Sequence, residues 1–117
     1  SMFTIYHNPR CSKSRQTLEL LNNAKVELDI VEYLKEVPSV EVLKDIINKL
    51  GLSNIRDLMR TKETIYKELE LNRNEITEDQ LLQAMVENPK LIERPIVIKG
   101  DKAVIGRPPE NVNELIS

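Results

Sequence analysis

Residues 3–33 read FTIYHNPRCSKSRQTLELLNNAKVELDIVEY, and this stretch decides the fold. Its first four residues form a short apolar run rich in strand formers, halted by the turn-like His7-Asn8-Pro9. Cys11 follows, and from Ser12 the spacing predicts a helix with Leu18 and Leu21 on one face and Ala24 near its end. Residues 27–33 (ELDIVEY) are again rich in β-branched and aromatic side chains and read as a second strand. Strand, tight loop, helix and strand make a βαβ unit. The right-handed crossover rule sets its two strands parallel within one sheet.

Working outward, Pro38-Ser39 ends that unit and the period becomes helical. Leu43, Ile46, Ile47 and Leu50 recur at i, i+3, i+4 and i+7, with Gly51 placed as a C-terminal stop. Short helices are expected over residues 55–60 and 64–69. Thr77-Glu78-Asp79-Gln80 fits a capping box that opens a helix through Leu81, Leu82 and Met85, ended by Pro89. Beyond it the period drops to two. Ile96-Val97-Ile98 and Ala103-Val104-Ile105 flank Gly100-Asp101, which predicts an antiparallel hairpin. Pro108-Pro109 breaks the chain, and residues 110–116 are expected to form a last short helix. With the middle helices set aside, βαβ followed by ββα is the thioredoxin-like α/β arrangement. The expectation is a four-stranded mixed sheet in a single domain over residues 2–117, with a helical insertion at about 38–90 between the two halves.

Composition bounds the function. The chain has 117 residues, a net charge of −2, one cysteine, one histidine and no tryptophan. One domain of this size buries one core. The lone Cys11 excludes an intrachain disulfide and a Cys-x-x-Cys metal site, and no metal is expected. A sequence pI near 5.5 argues against a nucleic-acid partner. No apolar run approaches the roughly 18 residues of a membrane span, and no secretory leader is evident, so the chain reads as cytoplasmic. Ser1 ahead of Met2 reads as a cloning remnant.

Charge is distributed unevenly. Residues 1–18 hold Arg10, Lys13 and Arg15 and no acidic side chain. Cys11 lies within this stretch, between a strand end and a helix start, where unpaired backbone N–H groups and the helix dipole favour a thiolate. The same features attract an anionic substrate. A lone cysteine is ordinarily a small buried hydrophobe, but Arg10, Ser12 and Lys13 make a poor core environment, so Cys11 reads as reactive. Ser14 completes Cys-x-x-Ser, which lacks a resolving thiol; a mixed disulfide on Cys11 then needs a thiol from another molecule. Residue type leaves two roles open for Ser14, direct participation or a hydroxyl ordering the first helical turn. His7 either tunes the thiolate through space or sits at a strand end on the surface.

His7-Asn8-Pro9-Arg10-Cys11-Ser12-Lys13-Ser14-Arg15 resembles the signature loop of the glutaredoxin-coupled arsenate reductases, His-Asn-Pro-x-Cys-x-x-Ser-Arg. IRDLMR at 55–60, ERPIVI at 93–98 and Gly106-Arg107-Pro108 are similar to three further segments of that family, so the resemblance spans nearly the whole chain. It implies that Cys11 is the nucleophile and that Arg60, Arg94 and Arg107 bind and stabilise the arsenic oxyanion. It also implies that His7 modulates the thiol, and that Ser14, Arg15 and the cis-proline Pro95 help form the substrate site. Guanidinium groups suit such a substrate, because their planar paired donors match tetrahedral oxyanions. From residue type alone, Arg60 serves equally to cap a helix C-terminus.

The resemblance further implies arsenate as substrate, glutathione as co-substrate with no tightly bound cofactor, glutaredoxin as partner, and a monomer. Arg10 stands where small residues are common in that family, and Ser12-Lys13 replaces a small pair; both changes keep or raise positive charge. Two other readings remain open on these residues. One is a regulator of the Spx type that binds RNA polymerase, although redox-sensing members usually carry Cys-x-x-Cys. The other is a glutathione-dependent thiol enzyme of the same superfamily acting on a different substrate.

Overall fold

The structure, a computed structural model, describes residues 2–117; Ser1, read above as a cloning remnant, lies outside them. The chain folds into two compact units. The first runs to Glu36 and resumes over Arg94–Ser117; the second is Val37–Glu93.

The first unit is a four-stranded sheet with helices. Strand β1 (Met2–His7) leads through a four-residue loop to helix α1 (Ser12–Asn23), and strand β2 (Glu27–Glu32) returns parallel to β1. Strands β3 (Ile96–Lys99) and β4 (Lys102–Ile105) close the sheet in the order β2-β1-β3-β4, both added antiparallel. This is the mixed sheet and thioredoxin-like α/β topology expected from the element order. Gly100 takes a φ of +62° at the first position of the β3–β4 turn, where a side chain would be strained.

Register follows from alternation. Phe3 and Ile5 point to one face of β1, and Val97, paired with Ile5, points the same way. They pack with Leu21 of α1 and with Val112 and Leu115 into one buried cluster. The anticipated last helix is in fact two pieces: a tight 3₁₀ turn over Pro109–Val112, then the short helix α5 (Asn113–Ile116). Pro109 begins that turn without an N–H to satisfy, which favours a tight start.

The second unit is helical. Helix α2 (Val40–Leu50) starts at Ser39, whose hydroxyl accepts the Val42 N–H at 3.2 Å. It stops at Gly51, φ +70°, where the N–H groups of Gly51 and Leu52 reach back to Asn48 and Ile47. Leu43 and Ile46 are its buried residues. The expected helix at 55–60 is instead a 3₁₀ turn over Ile55–Leu58. It ends early because Met59 goes extended and pairs with Ile92, while Arg60 N–H donates to Leu91 O and Glu93 N–H to Leu58 O, each at 2.7 Å. Helix α3 (Thr64–Glu68) is short. Helix α4 (Glu78–Glu87) carries the full capping box: Thr77 Oγ1 accepts from Gln80 N–H at 3.1 Å, and Gln80 Oε1 accepts from Thr77 N–H at 2.8 Å. A 3₁₀ turn over Pro89–Leu91 leads to the end of the unit.

Arg56 organises this unit in a way its sequence neighbours do not reveal. Its Nε donates to Tyr66 Oη at 3.1 Å, and its Nη2 donates to the carbonyls of Leu71 at 2.8 Å and Arg73 at 3.0 Å. One guanidinium thereby satisfies three oxygens of the α3 region.

Candidate active site

The carboxyl end of β1 delivers His7 to Cys11 to the edge of the first unit, where open α/β sheets characteristically bind ligands. Cys11 is the N-cap residue of α1, extended at φ −94° and ψ 123°, and half-buried. The loop before it is tied down by its own backbone. Cys11 N–H donates to Asn8 O at 3.0 Å, Arg10 N–H to Asn8 Oδ1 at 3.0 Å, and Arg15 Nη1 to Pro9 O at 2.9 Å. Asn8, itself buried, is thus the pivot of the loop, with side chain and carbonyl both used.

Ser14 is fully buried, and its hydroxyl lies 2.6 Å from His7 Nδ1 while accepting the Asn8 N–H at 3.0 Å. Of its two open roles, this geometry is that of a residue ordering the turn. His7 is buried too, not a surface strand end. Burial holds its pKa below the ordinary 6.5, with Glu32 opposing the shift and Arg15 adding to it. The imidazole is therefore neutral at physiological pH and takes part in the Ser14 hydrogen bond as an uncharged ring.

Two of the three arginines singled out above converge on the sulfur. Arg107 Nη1 lies 3.7 Å from Cys11 Sγ and 3.4 Å from Arg94 O. Burial alone would push the Cys11 thiol up. The Ser14 N–H, the Arg94 side chain and the Lys13 N–H, in that order, donate toward the sulfur, and with the Arg94 charge they bring its pKa below the ordinary value. Pro95 and Pro108 follow these arginines, and both Arg-Pro bonds are cis. Arg60 belongs to the second unit. Its guanidinium is held there by Glu93, with Nη1 to Oε1 at 3.1 Å, and by Glu63, with Nε to Oε2 at 3.6 Å. It does not cap a helix through its side chain. Arg15 and Arg10 are exposed.

Residues 6–115 match the ArsC family. The chain belongs to that family. It is 54% identical over 112 residues to the uncharacterized protein YfgD of Escherichia coli (strain K12), covering 96% of this chain and 94% of that one. It is 51% identical over 112 residues to an arsenate reductase of Haemophilus influenzae, covering 96% and 97% respectively. The solved arsenate reductase from Vibrio cholerae superposes with a TM-score of 0.95 at 51% identity, covering 97% of this chain and 96% of that one.

Within this ArsC-family site, composition did not single out three residues that hold it together. Asn8 is one; its place directly before Pro9 at a strand end was the available signal. Thr17 is a polar residue on the buried stripe of α1 with Ser14 and Leu21, and is fully buried. Gly106 packs against Thr17 and Pro95 so closely that a Cβ there would lie 2.5 Å from Thr17 Oγ1 and 2.8 Å from Pro95 Cγ. Among the described residues no cluster of three or more His, Cys, Asp or Glu side chains is placed to hold a metal. No helix among them is long and apolar enough to cross a membrane. What the arrangement offers is a thiol of lowered pKa at a helix N-terminus beside the guanidinium groups of Arg94 and Arg107, a setting whose charge suits a nucleophilic thiolate and an anion.

Proposed function

We propose that this chain is an arsenate reductase in which the Cys11 thiolate is the nucleophile. One observation carries the reading: the sole cysteine sits at the start of α1 with Arg107 Nη1 3.7 Å from its sulfur and Arg94 lowering its pKa. The arsenate reductases of H. influenzae and V. cholerae, each 51% identical to it over nearly their whole length, support arsenate as the anion.

In the first step Cys11 Sγ bonds to arsenic as an arsenate oxygen, protonated, departs as water. Arg94 and Arg107, with Arg60 in the role implied by the family resemblance, carry the charge of the oxyanion and of the adduct. Reduction of arsenic from the pentavalent to the trivalent state takes two electrons. Two thiols supply them and end as a disulfide. Since Cys11 is the only cysteine of this sequence, those thiols come from outside. Glutathione bonds to arsenic as a second oxygen leaves as water. The glutaredoxin thiol then takes the glutathione sulfur as a mixed disulfide while the electron pair stays on arsenic, and water hydrolyses the Cys11 Sγ–arsenic bond to free the thiol and arsenite. His7 and Ser14 order the loop, and Arg15 and Pro95 shape it. The protein acts as a cytoplasmic monomer, with residues 2–117 forming one functional domain.

The test is arsenate-dependent NADPH oxidation coupled through glutathione, glutaredoxin and glutathione reductase. Turnover is expected with the wild-type chain and absent in Cys11→Ser. Turnover retained by Cys11→Ser refutes the mechanism. Turnover with thioredoxin but not glutaredoxin refutes the choice of reductant alone.

A further inference from the structure

Helix α1 and the β4–α5 connection meet at one point with no slack. Thr17 lies on the buried stripe of α1, where an apolar residue would be the ordinary occupant, and has no exposed surface. Its Oγ1 donates to Lys13 O at 2.8 Å and approaches Gly106 O at 3.5 Å. A Cβ on Gly106 would meet Thr17 Oγ1 at 2.5 Å, Pro95 Cγ at 2.8 Å and Thr17 Cγ2 at 3.1 Å. Gly106 is therefore glycine for want of space, since no positive φ is involved there.

The neighbours in sequence make this contact functional. Thr17 is six residues along the same helix from Cys11; Gly106 precedes Arg107; Pro95 follows Arg94. Gly106 N–H donates to Pro95 O at 2.9 Å, so the two arginine-bearing segments are bonded to each other at this point. From the other side, Asn111 Nδ2 donates to Ile105 O at 3.1 Å and to Arg107 O at 3.3 Å. The backbone from Ile105 to Arg107 is thus pressed against α1 at Gly106 and braced behind by Asn111.

We propose that Thr17 and Gly106 act together as a spacer that sets how far Arg107 and Arg94 stand from the Cys11 sulfur. They are positioning residues; neither touches the reacting atoms. Close-packed interiors do not absorb an added methyl group without moving something. At Gly106 what moves is the root of Arg107, whose guanidinium is 3.7 Å from the thiol. The inference rests on the reading that these arginines stabilise the Cys11 thiolate, and it does not require that the substrate be arsenate.

Cys11 is the only cysteine, so alkylation by iodoacetamide reports on it alone. The rate is measured against pH for the full chain and for Gly106→Ala, Thr17→Val and Thr17→Ser, with urea unfolding to confirm that each is folded. In Gly106→Ala the midpoint of the profile is expected to rise, and the rate at pH 6 to fall at least about threefold. Thr17→Val puts a bulkier methyl where the hydroxyl faces Gly106 and is expected to shift the profile in the same direction, by about twofold in rate. Thr17→Ser keeps that hydroxyl and is expected to match wild type. A wild-type profile in Thr17→Val overturns the proposal, whether or not Gly106→Ala folds; so does an equal shift in Thr17→Ser and Thr17→Val. A wild-type chain that shows these shifts yet never turns over arsenate overturns the assigned substrate and leaves the spacer standing.

Discussion

Replacing Ser14 by alanine removes one oxygen atom from the most constrained point of the Cys11 loop. That oxygen is bonded to His7 Nδ1 at 2.6 Å and to the Asn8 N–H at 3.0 Å. Both partners are more than nine-tenths buried, His7 at 6% and Asn8 at 8% exposure, and Ser14 itself is at 0%, so little water reaches the groups left behind. An unsatisfied buried polar group costs about 1–3 kcal/mol. Two of them, slightly relieved by their nearness to the loop surface, cost about 2–4 kcal/mol, a large part of the roughly 5–15 kcal/mol that holds a domain together. For a chain of this length the unfolding entropy is about 0.25 kcal/mol/K, which converts the loss to a Tm lower by about 8–16 °C. Urea unfolding at pH 7 measures it directly, as a fall in midpoint at unchanged slope. The accompanying expectation is faster hydrogen exchange at the Asn8 amide. A loss below about 0.5 kcal/mol with Asn8 still protected would refute the view that this hydroxyl is a structural joint.

Three further outcomes are expected. The folded-state pKa values of His7 and Cys11 are both depressed, so each contributes stability that is present above its unfolded value and lost as pH falls through the folded one. Urea midpoints should therefore rise between pH 5 and 7 through His7, the only histidine, and rise again toward pH 9 in wild type but not in Cys11→Ser. Arg56→Ala strands the Leu71 carbonyl and the Tyr66 hydroxyl, while the exposed Arg73 carbonyl keeps the Ile76 N–H, and should destabilise the chain by about 1–3 kcal/mol, with Arg56→Lys recovering less than half; calorimetry decides it. Lys25 adopts φ +57°, a left-handed conformation that a non-glycine side chain occupies at a cost, so Lys25→Gly should raise Tm slightly, by about 0.5–1 kcal/mol in stability.

The sheet was legible because its signals are local. Alternation in β1, the glycine turn between β3 and β4, and the crossover rule between β1 and β2 each act within a few tens of residues, and the structure follows all three. The caps at Ser39, Gly51 and Thr77 were readable for the same reason. The helix expected at 55–60 failed because a tertiary demand overrode propensity: the backbone of Met59 and Arg60 is drawn off to pair with residues near Ile92. At the site, Cys11 stood out through the positive charge around it and its position at a strand-to-helix junction. Residue type alone did not mark Arg94 and Arg107, since seventeen Lys and Arg side chains carry the same charge. The family resemblance picked them out together with Arg60, and three-dimensional contact separates the two that reach the sulfur from Arg60. Thr17 and Gly106 were invisible for a related reason: their fit is a contact across 89 residues, and composition holds no trace of a missing Cβ.

The pairing of β1 with β3 joins Phe3 to Lys99, and Arg107 lies further along still. While the chain is being synthesised, the segment carrying Cys11 therefore exists for some time without the strand that flanks it and without either guanidinium. At about 5–20 residues per second, roughly 5–20 s pass between the appearance of the cysteine and that of Arg107. During that interval the sulfur has only what α1 and the loop provide, and the pKa contribution of Arg94 is absent. The set of groups beside the sulfur is complete only once the β3–β4 hairpin and the Arg107 that follows it have joined the sheet.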